Sequence, residues 1–164
     1  MFDRLPIIAL CSALLFGCTQ ETAKQETTNT PKEIHKTLAI SAIVEHPSLD
    51  DIRRGVIAGL AEQGYQEGKN LTVNFQSAQG NMATAGQIAK QFSADSPDAI
   101  VAISTPSAQT IAAATQSIPI IYTAVSDPVA AKLIDDKGIA TQSNITGLSS
   151  ELPLEPQIEL FQKV

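Results

Sequence analysis

The sequence contains no tryptophan, and aromatic residues make up only 4% of its 164 residues. Basic side chains are also few, since 11 Lys and Arg stand against 17 Asp and Glu, for a net charge of −6. Binding to nucleic acid requires several basic groups on one face to neutralise phosphates, and the sequence has no such cluster. We therefore expect no nucleic-acid partner.

Cysteine is scarce as well, and both cysteines lie near the N-terminus, at Cys11 and Cys18. The apolar run from Leu5 to Phe16 is shorter than the roughly 20 residues of a membrane-spanning helix, but it suits a secretory signal. Its end, Leu15-Phe16-Gly17-Cys18, resembles a bacterial lipobox, whose cysteine is lipidated. We predict a signal peptide over 1–18 and lipidation of Cys18. The alternative is an ordinary cleaved signal with an incidental cysteine.

Large apolar residues are almost absent from 19–36, so this segment cannot bury enough surface to fold and is predicted to be a flexible tether. The predicted protein is thus exported, to the periplasm or cell surface, and anchored to a membrane through Cys18. About 128 residues remain, which is enough for one domain without disulfides.

Short apolar runs alternate with helical patterns in this remainder. Such alternation predicts an α/β fold with a parallel sheet and right-handed crossovers. Asn81 and Thr105 are predicted helix caps, as is Asp127, which would start a further short helix. The predicted strands are Leu38–Val44, Leu71–Phe75, Ala99–Ile103 and Ile118–Tyr122. The predicted helices have apolar faces formed by Leu49, Ile52, Val56 and Leu60, by Met82, Ala85, Ile88, Ala89 and Phe92, and by the alanine-rich stretch through Ala114.

Three strand ends share a pattern in which an apolar run is followed by polar groups and a proline. They are His46-Pro47-Ser48, Ser104-Thr105-Pro106-Ser107 and Ser126-Asp127-Pro128. With the common strand order 2-1-3-4, these ends are neighbours at the carboxyl edge, where open parallel sheets bind ligands. The sequence therefore predicts a ligand site at this edge.

Six short motifs carry a family resemblance. They are Gly64-Tyr65 with Glu67-Gly68-x-Asn70, Gln76-x-Ala78-x-Gly80, Pro97 to Ala102, Ala114-Thr115 with Ile118-Pro119-Ile120, Val125-x-Asp127-Pro128-Val129, and Asn144-Ile145-Thr146-Gly147. In this order they resemble the ABC-transporter substrate-binding proteins of the tryptophan/tyrosine type. The resemblance runs from about Leu38 to the last residue.

This resemblance implies one lobe of a type I periplasmic binding protein, with sheet order 2-1-3-4(-5) and helices on both faces. Family members have two lobes that close on a small ligand, and they pass it to an ABC permease. The sequence is about half as long, so we interpret 37–143 as the N-terminal lobe and 144–164 as a hinge strand and the start of a truncated second lobe. The resemblance implies neither an enzyme nor a cofactor or metal.

The resemblance and the strand-end pattern together predict how an aromatic amino acid is held. Ser104, Thr105 and Ser107, with the helix N-terminus that follows the third strand, are expected to bind its carboxylate. Asp127 is expected to pair with the α-ammonium, or to serve only as a helix cap. His46, Ser48 and Ser126 would line the mouth of the site, and His46 or Tyr122 could stack on an aromatic ring, although the position of Tyr122 favours burial in the sheet.

Three alternatives stay open. Ser104, His46 and Asp127 are the residue types of a serine hydrolase triad, although no glycines surround Ser104 to form a strained nucleophile turn. A metal site from His46 with Asp50 or Asp51 has no recognisable ligand spacing. A sensor or interaction module of the same fold would use the same strand ends without transport.

Overall fold

The structure, a computed structural model, describes residues 34–150 and 154–163. The predicted signal peptide, Cys18 and nearly all of the predicted tether lie outside the described residues. Within the described ranges, no helix combines the length and apolar character that crossing a membrane requires.

Five parallel strands form one sheet in the order β2-β1-β3-β4-β5. This confirms the predicted order. The central strands are almost wholly apolar because helices cover both faces of the sheet and bury the side chains of each. The strands are β1 (Lys36–Ala42), β2 (Leu71–Ser77), β3 (Ala99–Ile103), β4 (Ile120–Val125) and β5 (Ile145–Ser149).

The helices are α1 (Pro47–Glu62), α2 (Met82–Asp95), α3 (Thr105–Ala114) and α4 (Leu154–Gln162). The end of α1 follows the predicted glycine pattern, because Gly64 has a φ of +90° and the Tyr65 N–H donates to the Leu60 carbonyl at 2.9 Å. Asn81 caps α2 as predicted, since its Oδ1 accepts the N–H groups of Ala83 and Thr84.

The core has two parts, one on each face of the sheet. On one face, Leu38, Ile40 and Ile103 pack against the half-buried apolar stripe of α1. On the other face, α2 and α3 bury Phe92 and Ile111 against the sheet. The helices that follow β1 and β3 therefore lie on opposite faces, which means that the winding of the chain reverses between these two adjacent strands.

Packing against the neighbouring strand requires glycine at position 147 in β5. Gly147 pairs with Tyr122 of β4, and a Cβ at this position would overlap the Tyr122 carbonyl oxygen and ring. Only glycine therefore allows the two strands to approach. Tyr122 itself is 5% exposed, so its ring is buried in the sheet and does not face the edge where a ligand would stack.

Several local predictions were wrong. Strand β1 is Lys36–Ala42 and not Leu38–Val44, so it begins at the last residue of the predicted tether, and β2 extends to Ser77. Strand β4 begins at Ile120, because Thr115 Oγ1 accepts the N–H groups of Ser117 and Ile118 and holds them in a turn.

Two predictions about helices were also wrong. Met82 begins α2 but is exposed, because it precedes the turn that contacts the core. No helix follows Asp127, since the chain there makes a single turn that ends at Lys132, whose φ of +61° is left-handed.

The predicted N-cap of α3 is one residue too late. Ser104 is the cap, because its carbonyl accepts the Ala108 N–H at 3.0 Å, and Thr105 is already helical. Ser104 has a φ of +87° and a ψ of 156°. This backbone region is essentially reserved for glycine and costs about 1–3 kcal/mol for other residues. A strained turn thus forms at Ser104 although no glycine surrounds it. The absence of neighbouring glycines therefore does not prevent such a turn at this position.

Strand β5, the segment interpreted as a hinge strand, is the parallel edge strand of this same sheet. After it, α4 presents apolar side chains to solvent, with Ile158, Leu160 and Phe161 at 55%, 65% and 84% exposed.

Candidate functional site

The carboxyl edge of the sheet brings the three predicted loops together. Because β1, β3 and β4 are parallel and adjacent, the loops that follow them begin side by side. His46 and Ser48 lie after β1, Ser104 begins the loop after β3, and Asp127 follows β4. The strand-end pattern was therefore a sound guide to residues that the fold places at one edge.

The first loop is held by its own histidine. His46 is the N-cap of α1, and its Nδ1 accepts the Ser48 N–H at 3.3 Å. Pro47 occupies the first helical position, where a missing N–H costs nothing. Both His46 and Ser48 are exposed. They are thus accessible to solvent at the carboxyl edge, and their place at the mouth of a site stays a prediction.

The loop after β4 is held by Asp127. Its Oδ1 accepts the Ala130 N–H at 2.8 Å, and its carbonyl accepts the Ala131 N–H at 3.0 Å. Asp127 therefore accepts the N–H bond that a helix cap would accept, but it closes a turn and not the predicted helix. Asp127 and the neighbouring Ser126 are exposed. Among the hydrogen bonds of the described residues, none uses the second carboxylate oxygen of Asp127.

The start of α3 differs from the starts of α1 and α2. No side chain caps its N–H groups, whereas His46 caps α1 and Asn81 caps α2. The Ser104 hydroxyl is 3.5 Å from that of Ser107, which is completely buried. Ser107 therefore lies beneath Ser104 and Thr105 at this edge, and its direct contact with a ligand stays a prediction. Free N–H groups at a helix N-terminus favour an anion.

This open helix start lies beside the place where the winding reverses. Ligands of open parallel sheets bind in the crevice at such a reversal, because the loops on its two sides turn away from each other. Here the reversal lies between the ends of β1 and β3, flanked by the starts of α1 and α3. The loop after β4 borders β3 on its other side.

Sequence reasoning missed the loop after β2. Gln79 has a left-handed φ of +51°, and its Nε2 donates to Glu45 Oε1 at 2.6 Å. The backbone of this loop is tied to β1, because the Ala78 N–H donates to the Ala42 carbonyl and the Gly80 N–H to the Ile43 carbonyl. The only signal for this loop was the motif Gln76-x-Ala78-x-Gly80, whose role the sequence alone does not reveal.

The two chemical alternatives receive no support from these contacts. In the described part of the chain, His46, Ser104 and Asp127 each hydrogen-bond within their own loop, and no bond joins them as a hydrolase triad requires. The two carboxylates considered as metal ligands with His46 are instead paired along α1, Asp50 with Arg53 and Asp51 with Arg54.

Comparison with known proteins gives consistent results. A family model described as ABC transporter substrate binding protein matches residues 37–164. A tyrosine-binding protein of Clostridioides difficile (strain R20291) is 43% identical over 154 residues, which are 92% of this chain and 44% of that protein. The chain therefore spans less than half the length of this relative.

Two solved structures share the fold. One is a ligand-free, open substrate binding protein with adhesive properties from Clostridium difficile, with a TM-score of 0.72, 42% identity, and coverage of 78% of this chain and 43% of that one. The other is an ABC domain in complex with L-Trp from Streptococcus pneumonia, with a TM-score of 0.73, 35% identity, and coverage of 78% and 43%. Both contain a region with the architecture described above.

Proposed function

Because the chain belongs to the ABC transporter substrate binding protein family, we propose that it is the extracytoplasmic solute-binding component of an ABC importer. Its ligand is an aromatic amino acid, which binds at the carboxyl edge of the sheet. Two relatives support this ligand class, since one is named a tyrosine-binding protein and another is in complex with L-Trp.

The start of α3 is the observation that carries this proposal. Its N–H groups lack a side-chain cap, and it borders the reversal of winding between β1 and β3. The ligand carboxylate binds these N–H groups, assisted by the hydroxyls of Ser104 and Thr105 and supported from below by Ser107. The strain at Ser104 is consistent with a backbone that is shaped for a ligand.

Other residues at this edge complete the proposed site. Asp127 accepts the α-ammonium through the carboxylate oxygen that its cap leaves free, so that capping and binding coexist. His46, Ser48 and Ser126 line the mouth, and the ring packs beside His46. In this proposal 37–143 is one lobe, 144–164 leads into a second, and the ligand is enclosed between the two.

Export and attachment complete the proposal. Residues 1–18 act as a lipoprotein signal, Cys18 carries the lipid, and 19–36 tether the lobe to the membrane beside an ABC permease. Processing should remove the segment before Cys18. Mass spectrometry of the protein from membranes tests this, because substituting Cys18→Ala should abolish both the lipid mass and membrane attachment.

Ligand binding is tested by ¹⁵N-resolved NMR titration of the full chain, which also detects weak binding. L-Tyrosine should shift the amides of Thr105 and of the α1 start in a saturable way. L-Tyrosinamide, which lacks the carboxylate, should bind at least about tenfold more weakly, because hydrogen bonds to a charged group are worth roughly 1.5–3 kcal/mol. Equal affinity for the two compounds would remove the α3 start from the site.

An interaction module is a second candidate function. A similar protein described as having adhesive properties favours it. In that case neither L-tyrosine nor L-tryptophan would shift the amides at the carboxyl edge at any concentration that the titration reaches.

A further inference from the structure

Glu45 is a second carboxylate at the carboxyl edge, and it differs from Asp127 in how it is held. Asp127 is bonded by its own backbone turn, whereas Glu45 is bonded by a different loop, through Gln79 Nε2 at 2.6 Å. Among the described residues, the ion pairs of lysine and arginine are with Asp98, Asp50 and Asp51, and Glu45 has no basic partner.

The neighbouring loop fixes the position of this carboxylate. Gln79 sits between two residues whose N–H groups are bonded to the end of β1, Ala78 at 2.9 Å and Gly80 at 2.7 Å. Its own N–H donates to Ser77 Oγ at 3.3 Å. An exposed glutamate normally samples several rotamers, and holding it in advance lowers the entropy that a ligand contact must offset.

Glu45 is hydrogen-bonded on the side of the β1 loop that is farther from α3. The strand order β2-β1-β3 places the loop of Gln79 and the start of α3 on opposite sides of the β1 loop. These two points are separated by about two strand spacings, roughly 10 Å. That span is comparable with the length of an extended aromatic amino acid, and far greater than the separation of its ammonium and carboxylate groups. The exposed His46 lies on the intervening loop.

We propose that Glu45, positioned by Gln79, accepts a hydrogen bond from a donor at the far end of the ligand side chain, and so selects a phenol or indole over a plain phenyl ring. This inference rests on the proposed function, because it takes the carboxylate to bind at α3. Glu45 Oε1 is occupied by Gln79, which leaves Oε2 for the ligand O–H or N–H. A phenyl ring offers no donor and leaves this carboxylate partly desolvated without a partner.

The test compares L-tyrosine with L-phenylalanine by NMR titration of the full chain. The wild-type chain should bind L-tyrosine at least about tenfold more tightly, as expected for a hydrogen bond to a charged acceptor. Glu45→Ala should reduce this preference below about threefold, while L-phenylalanine affinity stays within about twofold of wild type. Unchanged preference in Glu45→Ala, or no preference in the wild type, would overturn the inference and leave amino-acid binding intact.

Two further variants separate position from charge. Gln79→Asn keeps a residue that tolerates the left-handed backbone, but its side chain is too short to reach Glu45. The preference for L-tyrosine over L-phenylalanine should therefore fall to a value between those of wild type and Glu45→Ala. If Gln79→Asn retains the full preference, Gln79 is not the positioning residue.

Glu62→Ala removes an equal charge at the exposed end of α1, at the opposite edge, and should leave the preference for L-tyrosine over L-phenylalanine unchanged. An equal loss in Glu62→Ala would mean that net charge sets the preference and would also overturn the inference. If neither amino acid shifts any amide, the proposed function itself fails.

Discussion

At the amino edge of the sheet, where the strands begin, an ion pair and hydrogen bonds tie β1 to the turn before β3, whereas at the carboxyl edge the start of α3 has no side-chain cap. Lys36 Nζ lies 2.7 Å from Asp98 Oδ1, and the Thr37 N–H donates to Asp98 Oδ2 at 2.8 Å. Buried side-chain atoms without a hydrogen-bond partner among the described residues occur toward both edges, Ser41 Oγ near the carboxyl edge and Asn144 Oδ1 before β5 at the amino edge.

The backbone shows the same contrast. Near the amino edge the connection from α1 to β2 has glycine at its left-handed positions, Gly64 and Gly68. At the carboxyl ends of β2, β3 and β4, the non-glycine residues Gln79, Ser104 and Ala124 have positive φ, and at the amino edge Ser96 does so as well. Ser96 has an ordinary left-handed backbone with ψ 56°, whereas Ser104, with ψ 156°, lies in the region reserved for glycine. The difference teaches that backbone strain is concentrated, although not confined, at the edge where the proposed site lies.

The largest expected effect comes from the core beneath the amino edge. Phe92, in the last turn of α2, is completely buried and lines a cavity of about 160 Å³. Phe92→Ala should lower the free energy of unfolding by about 3–5 kcal/mol, because it adds to that void. Urea denaturation followed by circular dichroism measures this loss.

Met82→Ala is the matched control for Phe92→Ala on the same helix. Met82 is 53% exposed, so its loss should be within about 0.5 kcal/mol. A Phe92→Ala loss below about 1 kcal/mol would contradict the interpretation of the amino edge as the stable one.

Ser104→Gly should separate stability from binding at the carboxyl edge. Glycine tolerates a φ of +87°, so the free energy of unfolding should rise by about 1 kcal/mol. Loss of the hydroxyl should at the same time weaken L-tyrosine binding several-fold. Ser104→Ala, which keeps the strain and removes the hydroxyl, should weaken binding without any gain in stability.

Ser96→Gly tests the same substitution at the other edge. Ser96 follows α2 with a φ of +49°, so it should also gain stability, but L-tyrosine affinity should not change. Equal effects of the two glycine variants on binding would mean that the edges do not differ in function.

The smallest expected effect is that of Asp98→Asn on stability at acid pH. The hydrogen bond from Lys36, followed by that from the Thr37 N–H, lowers the pKa of Asp98 from its usual 3.8 to about 2. A carboxyl group whose pKa is lowered by folding stabilises the protein above its unfolded pKa, and this contribution is lost as the pH falls toward 2. The contribution should be small, because the Asp98 side chain is 40% exposed.

Urea denaturation at pH 5 and pH 2 measures this contribution. Wild type should lose more stability between the two pH values than Asp98→Asn, and L-tyrosine binding at neutral pH should be the same in both. Asp136→Asn, on an exposed turn, should retain the wild-type pH dependence. Identical pH dependence in wild type and Asp98→Asn would contradict a paired role for Asp98.

Much of the fold could be predicted because its signals are local. The apolar run Ala99–Ile103 is strand β3 in the structure, and Asn81 is the predicted cap of α2. The errors occurred where a neighbouring turn overrode the run, as when Thr115 holds Ile118 out of β4. For the site, the proline-containing strand ends indicated loops that the fold does place at one edge, since parallel strands have their carboxyl ends together, and ligand binding there stays a prediction.

The sequence by itself determined the alternation of strands and helices, because residue periodicity within each element decides which faces are buried. This alternation also located the polar strand ends after β1, β3 and β4. Only the tertiary structure decided that Ser104 is strained, that Gly147 must admit the Tyr122 ring, and that Gln79 holds Glu45. Each of these depends on residues that meet only when distant strands pair, and no local pattern records such a meeting.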